Sequence, residues 1–234
     1  MSSPVAPRQL ALALPHAESF AREDFLEGPS NAAALALIDR WPDWPSRVVA
    51  LVGPEGAGKS HLAAIWANGA GARFLAGRAL ERAHVPGALA TGALVVEDLT
   101  DGQFDERALF HLLNLARERR AYVLITTAVA VGELPIRTAD LKSRLRLAPS
   151  VSLDPPDDAL LRAVLVKLFI DRQLVVDTTV VDFLALRIER SLAAAAETVA
   201  ALDREALSRG RRITRPMAAE LVGRETGSVD AEAD

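Results

Sequence analysis

The chain has 234 residues, half of them hydrophobic, and carries 27 Lys and Arg against 31 Asp and Glu, for a formal net charge of −4 and a pI near 5.7. That length can bury a substantial core as one domain or as a domain with an appendage, and the acidic balance argues against a general nucleic-acid-coating surface while permitting a local basic patch. The absence of cysteine excludes disulfides and Cys-based metal sites and fits a reducing compartment. No apolar run approaches the ~20 residues of a bilayer span, and the amino end lacks the basic and apolar regions of a signal peptide. A soluble, cytoplasmic protein with no membrane partner is expected.

Residues 1–17 are rich in Pro, Ala and Ser and read as a mobile arm with one apolar alternation, Gln9-Leu10-Ala11-Leu12-Ala13-Leu14. A glutamine followed by alternate leucines can dock as an extended peptide, the leucines filling apolar pockets and the amide giving directed hydrogen bonds. The same six residues would also suit an edge strand or the start of a first helix. Ser30-Asn31 is a candidate cap for a helix from Ala32 to Arg40, which Pro42 and Pro45 close. Val48 to Val52 reads as a buried parallel strand, and His61 to Ala67 as a helix.

Between that strand and that helix stands Gly53-Pro54-Glu55-Gly56-Ala57-Gly58-Lys59-Ser60, a complete Walker A sequence. Strand, glycine loop and helix together let backbone N–H groups surround a phosphate. The glycines permit a path that a Cβ would block, and the helix amino end adds partial positive charge. Lys59 would reach the β- and γ-phosphates and Ser60 would hold Mg²⁺, with His61 next in the loop. The chain is expected to bind ADP or ATP.

Further along, Ala72 to Leu75 is a short second strand and Leu94 to Val96 a third, running into Glu97-Asp98. In the Walker B position one carboxylate supports the metal and the next orients the attacking water. Glu97 is then the Mg²⁺ residue and Asp98 the base, an order that shifts both from their usual distances and predicts slow intrinsic hydrolysis. Asp105 to Arg120 places Leu109, Leu112, Leu113 and Ala116 on one face of a helix. Tyr122 to Thr127 is a fourth strand and Val151 to Leu153 a fifth. Thr126-Thr127 ends the fourth strand, where Thr127 can sense a phosphate or position water; threonine is also an ordinary strand-ending residue.

Ser143-Arg144-Leu145-Arg146 precedes the fifth strand. Arg144 there would face outward and act as a finger in trans, or else pair on the surface with Asp140. After Pro155-Pro156 the pattern is helical only: Asp157 to Arg172, Thr178 to Glu189, Ser191 to Arg209 and Thr214 to Val222. Arg190, at a helix junction, could reach back to bound phosphates or be a common helix-end arginine. Arg209, Arg211, Arg212 and Arg215 could touch nucleic-acid phosphates, although such clusters are more often solvated loop charges. The alternation predicts an α/β fold: a parallel five-stranded sheet with ligands at the strand carboxyl ends, followed by a small all-α second domain. The expected boundaries are 1–17 arm, 18–154 nucleotide-binding base, 155–222 helical lid and 223–234 disordered tail.

Taken in order, these motifs resemble the Hda family of DnaA-related AAA+ regulators, in its alphaproteobacterial form. The resemblance runs from Gln9 to about Val222 and is carried by Gln9 to Leu14, Asp24 to Asn31, Gly58 to Leu62, Phe110-His111-Leu112-Leu113-Asn114, Leu141 to Leu145 and Pro155-Pro156-Asp157. It implies an AAA+ P-loop base with a helical lid, and a box in which Phe25, Leu26 and Asn31 border adenine and ribose. It further implies ADP as the favoured ligand and binding of the DNA polymerase III sliding clamp through Gln9, Leu10, Leu12 and Leu14. The family's role is to make ATP–DnaA hydrolyse its nucleotide, with Arg144 as the finger and Arg190 as the lid's sensor, and a homodimer is possible. Ala128 stands where DnaA has an aspartate, the stretch from Leu75 to Leu94 is shorter than DnaA's single-strand-binding insert, and no helix-turn-helix follows the lid. Weak intrinsic ATPase activity and little intrinsic DNA binding are therefore expected. A DNA-stimulated ATPase such as a DnaC-type helicase loader, and a DnaA-related adaptor with another target, are the alternatives.

Overall fold

The computed structural model describes residues 20–99 and 104–229. The arm motif Gln9, Leu10, Leu12 and Leu14 lies outside the described residues. In chain order the elements are helix α1 (Ala32–Asp39), strand β1 (Val48–Val52), α2 (Lys59–Ala70), β2 (Arg73–Ala76), α3 (Val85–Ala88), β3 (Ala93–Glu97), α4 (Glu106–Arg119), β4 (Tyr122–Thr127), α5 (Ala139–Arg146), β5 (Ser150–Ser152), α6 (Asp158–Asp171), α7 (Thr178–Ala185), α8 (Leu192–Arg209) and α9 (Arg215–Val229). The described residues fall into two compact units. One comprises Ser19–Leu161 with Arg190–Ala193, the other Arg162–Glu189 with the chain from Ala194 onward.

The first unit is built on a parallel sheet of order β2-β3-β4-β1-β5. Its central strands β1, β3 and β4 are near-continuous apolar runs because both faces are covered. Val49, Leu51, Val95 and Leu124 pack toward α1 and α2 with Leu35, Leu62 and Trp66. The intervening Ala50, Leu94, Val96, Val123 and Ile125 pack toward α3, α4 and α5 with Leu109, Leu112 and Leu141. The alternation follows from the two-residue side-chain period of a strand. In register, Val52 lies beside Thr127 and Ser152, and Ala76 beside Glu97, so the glycine loop, the Glu97-Asp98 pair and the threonine pair leave the sheet along one edge. At the opposite edge, around the first residue of β4, Trp44 stacks on Trp66 with ring centroids 4.9 Å apart. Trp41 and Trp44 each meet Tyr122 edge-on at 5.9 Å, and Arg47 covers the same ring.

In the second unit, α7 carries Val180, Val181, Phe183, Leu184 and Ala185 inward, α8 carries Ala195, Thr198, Val199, Leu202 and Ala206, and α9 carries Met217, Ala218 and Val222. Asp177 caps α7 by accepting from the Thr179 N–H at 2.8 Å. One helix is added to the expected set and one expectation needs correction. The short helix α3 lies in the stretch from Leu75 to Leu94, where no element is assigned from the sequence, and its Val85 is fully buried. Helix α9 runs on to Val229, past the helix end expected at Val222 and into the stretch expected to be disordered. Polar sequence alone does not end a helix, since the exposed face of a helix is polar as well.

Candidate nucleotide-binding site

The glycine loop between β1 and α2 owes its path to residues without a Cβ. Gly56 and Gly58 adopt φ of +69° and +98°, in the left-handed region that costs other residues energy. Space reinforces the requirement. A Cβ on Gly53 would overlap the Leu153 carbonyl oxygen, and one on Gly56 would overlap the Ser191 hydroxyl. The first helical bond of α2 runs from the Leu62 N–H to the Gly58 carbonyl at 3.1 Å. The amides of Gly58, Lys59 and Ser60 therefore precede the ladder, and helix-start amides of this kind are the ones left to bind anions.

Lys59 folds back over this loop and donates to the carbonyls of Gly53 and Pro54, both at 2.7 Å. Burial pushes its ammonium below the usual lysine range, opposed by the carboxylates of Asp98 and Glu55. Pro54, Glu55 and Ser60 are exposed and Ala57 is buried. The half-buried His61 ring is met edge-on by Phe20 at 5.3 Å and by Phe25 at 5.2 Å.

Phe25 is buried, 3.7 Å from the space a Cβ on Gly58 would take. Leu26 is half-buried beside it. Asn31 occupies the N-cap position of α1 but makes no side-chain bond to that helix. Its Oδ1 instead accepts from the Gly28 N–H at 2.8 Å and its Nδ2 donates to the Leu26 carbonyl at 3.0 Å. The amide thus shapes the Leu26–Gly28 turn, and the capping expected of it is not what it does.

The ends of β3 and β4 are tied together. Asp98 takes φ of +52°, and its N–H donates to Thr126 Oγ1 at 2.9 Å. The Leu99 N–H donates to the Thr126 carbonyl at 2.8 Å. Thr127 is fully buried and its hydroxyl donates to the Val129 carbonyl at 3.0 Å. Of the two threonines it is Thr126, unassigned from the sequence, that holds the acidic pair. The exposed Ser60 in the first turn of α2 and the half-buried Glu97 at the end of β3 both offer oxygen donors, the kind of ligand Mg²⁺ takes.

The segment Arg190–Ala193 meets the loop directly. The Leu192 N–H donates to the Gly56 carbonyl at 2.8 Å, and the Leu192 side chain reaches 3.3 Å from the Cβ position of Gly58. Arg190 itself is exposed and bonds Asp158 Oδ1 at 2.7 Å. Ser191, Leu192 and Asp158 were missed from the sequence. Small and apolar residues after an arginine carry no pattern that points to a glycine loop far upstream.

Arg144 stands apart from this set. Its Nη1 donates to Asn114 Oδ1, and its guanidinium lies 4.8 Å over the Phe110 ring. The alternative pairing with Asp140 is not made. The beginning of α5 is pinned by Glu106, which accepts from the N–H groups of Arg137 at 2.8 Å and Thr138 at 2.9 Å and from the Thr138 hydroxyl at 2.6 Å. These bonds, the Arg137 N–H first, hold the Glu106 carboxyl below its usual range. Arg82, Arg107, Phe110, His111 and Asn114 line an open cleft of about 340 Å³ along α4.

No protein-family model and no curated protein matches this chain. Solved structures do. Domain III of the Thermotoga maritima replication initiation protein DnaA aligns with a TM-score of 0.74 at 19% identity over 88% of this chain and 96% of that one. DnaA from Aquifex aeolicus, solved with AMPPCP bound, aligns with a TM-score of 0.66 at 15% identity over 79% of this chain and 65% of that one. The Thermotoga maritima RuvB Holliday junction branch migration motor gives 0.68 at 15% identity over 86% of this chain and 70% of that one. The likeness is one of fold. The chain has the fold of DnaA domain III, a parallel five-stranded sheet flanked by helices with an all-α carboxyl-terminal region. Among the described residues no helix is long and apolar enough to cross a membrane.

Proposed function

We propose that this chain is a nucleotide-holding regulator of replication initiation of the Hda type, which docks on the DNA polymerase III sliding clamp and promotes ATP hydrolysis on DnaA. The observation that carries the reading is the left-handed glycine path over Gly56 and Gly58, set at the end of β1 in a DnaA domain III fold. ADP or ATP is held by the backbone from Gly53 to His61, with Lys59 exchanging the Gly53 and Pro54 carbonyls for phosphate oxygens. Ser60 and Glu97 hold Mg²⁺, which neutralises phosphate charge when bound. Phe25 and Leu26 wall the base and ribose, Asn31 shapes the turn that carries them, and Arg190 answers to the phosphates.

Intrinsic hydrolysis is weak on this reading. Asp98 is held by Thr126 in a left-handed conformation, Thr127 has its hydroxyl turned to its own loop, and Ala128 offers no side-chain polar group. The chain contributes to catalysis on its partner instead. Arg144, steadied by Asn114 and Phe110, is the finger for the DnaA nucleotide, and such fingers raise hydrolysis by ~10³–10⁵. Gln9, Leu10, Leu12 and Leu14 supply the clamp contact.

The test is ATP hydrolysis on DnaA in the presence of clamp loaded on DNA. The wild-type chain is expected to accelerate it, Arg144→Ala to lose the acceleration while keeping ADP and clamp binding, and a Gln9→Ala, Leu12→Ala variant to lose clamp binding. A wild-type chain that ignores the clamp, yet turns over ATP rapidly when DNA is added, would replace this reading with that of a DNA-stimulated ATPase.

A further inference from the structure

The second unit carries a group of arginines that the nucleotide-site reading leaves unused. The stretch 209–215 holds four arginines and no carboxylate. The structure divides them. Arg209 is bound on both sides, to Glu205 and, at 3.0 Å, to Glu220, and so serves the α8–α9 pairing. Arg224 draws on the same two carboxylates. Arg211 and Arg212 are exposed, and among the described residues their side chains meet no hydrogen-bond or ionic partner. Arg215 lies 5.5 Å over the Phe183 ring, and Arg187, at the end of α7, lies 4.4 Å over that ring. The group is therefore Arg187 and Arg215, brought together by the Phe183 ring, with exposed Arg211 and Arg212 four and three residues before Arg215 on the stretch between α8 and α9.

We infer that this patch binds the phosphate backbone of double-stranded DNA without regard to sequence. Guanidinium forks match phosphate oxygens two at a time, and two of these four are already oriented by stacking on Phe183, so less freedom is lost when they engage. Three carboxylates of this unit are already engaged: Asp182 with Arg162 at 3.0 Å, and Glu205 and Glu220 with Arg209 and Arg224. Exposed Glu189, two residues after Arg187, is the acidic neighbour the patch has to outweigh. Single strands are a poor fit, because they are held by bases stacking on exposed rings. Phe183 is buried, 9% exposed, beneath its two arginines. Contacts made to phosphate oxygens alone carry no sequence information, which makes the contact sequence-independent. The expectation of little intrinsic DNA binding rested on the short β2–β3 connection, for single strands, and on the lack of a helix-turn-helix after the lid, for duplex. The patch adds a weak, salt-sensitive contact of its own, independent of the nucleotide-site reading.

The test is titration of the full-length protein onto an immobilised short duplex of random sequence over a series of low salt concentrations. With four phosphate contacts the log–log salt slope is expected near about −3.6. An Arg211→Ser, Arg212→Ser variant, which removes exposed side chains with no hydrogen-bond or ionic partner among the described residues, should fold as the wild type does by circular dichroism. Its slope should fall in magnitude by about 1.8, and its low-salt affinity by ~10-fold or more. Arg211→Lys, Arg212→Lys should keep the slope, since the slope counts charges. A wild-type chain that fails to bind duplex at low salt, or a serine variant with an unchanged slope, overturns the assignment. So does a serine variant that loses only its binding to phosphatidylglycerol vesicles, which would give the patch to a membrane surface.

Discussion

Around Gly56 the backbone is the binding element, whereas around Arg144 it only delivers side chains. In the loop, two left-handed glycines and three helix-start amides fix the site, and the side chains that approach it, Ser191 and Leu192, close against a path already set. At α4 and α5 the position of one guanidinium rests on an amide and a ring from a helix thirty residues earlier, and on Glu106 pinning the start of α5. Backbone-built sites fail by strain and side-chain-built sites fail by slackness, so substitutions should separate the two regions.

The largest effect is expected at the loop. Gly56→Ala forces a Cβ into the left-handed region and into the Ser191 hydroxyl, and should cost about 1–3 kcal/mol of stability and ~100-fold in nucleotide affinity. Adding Ser191→Gly should return the part due to the clash and leave the part due to φ, as read by thermal melts and nucleotide titration. Lys59→Ala comes next. It leaves the loop path alone but removes charge-assisted bonds to phosphate, so affinity should fall ~10–100-fold. The rise in melting temperature on adding ADP should vanish with it. A variant that kept wild-type affinity would show that the ammonium never leaves the Gly53 and Pro54 carbonyls.

Effects at the other region should be smaller and should spare nucleotide binding. Asn114→Ala leaves Arg144 its ring but not its amide, and the loosened guanidinium should lower stimulated hydrolysis on DnaA by about tenfold. Nucleotide affinity changed by the same factor would mean the two regions are one site. Glu106→Gln is the mildest, below about 1 kcal/mol in a melt because the carboxylate is largely exposed. Its pH dependence carries the information. The folded carboxyl is held below its ordinary value, so its stabilisation is full above about 4.3 and is lost as pH falls through the lower folded value. Wild-type and variant melting temperatures should differ at neutral pH and converge in acid.

The same contrast governs what could be read from the sequence. The strands β1 and β4, the loop and the acidic pair were legible because each is a local pattern: an apolar run, a glycine spacing, a carboxylate at a strand end. Sheet order was not, since it depends on which strands meet, and neither was α3, too short to show a period. Thr126 escaped because the choice between two adjacent threonines turns on the φ of Asp98. Asn114 was visible as part of a motif, but its bond to Arg144 spans two helices. In the arginine cluster at 209–215, the pairing of Arg209 with Glu205 and Glu220 and the sharing of Phe183 by Arg187 and Arg215 are contacts between helices that no local pattern shows.

The aromatic corner beside β4 has a spectroscopic consequence. Trp41, Trp44, Trp66 and Tyr122 are all the tryptophan and tyrosine the chain possesses, and all lie in the unit Ser19–Leu161, at the sheet edge away from the glycine loop. Intrinsic fluorescence therefore reports unfolding of that unit alone and is blind to α7, α8 and α9, which dominate the helical signal of the other. An unfolding curve followed by tryptophan emission and one followed by far-ultraviolet dichroism will coincide only if the two units melt together. The gap between them, with and without ADP, measures their coupling without any added label.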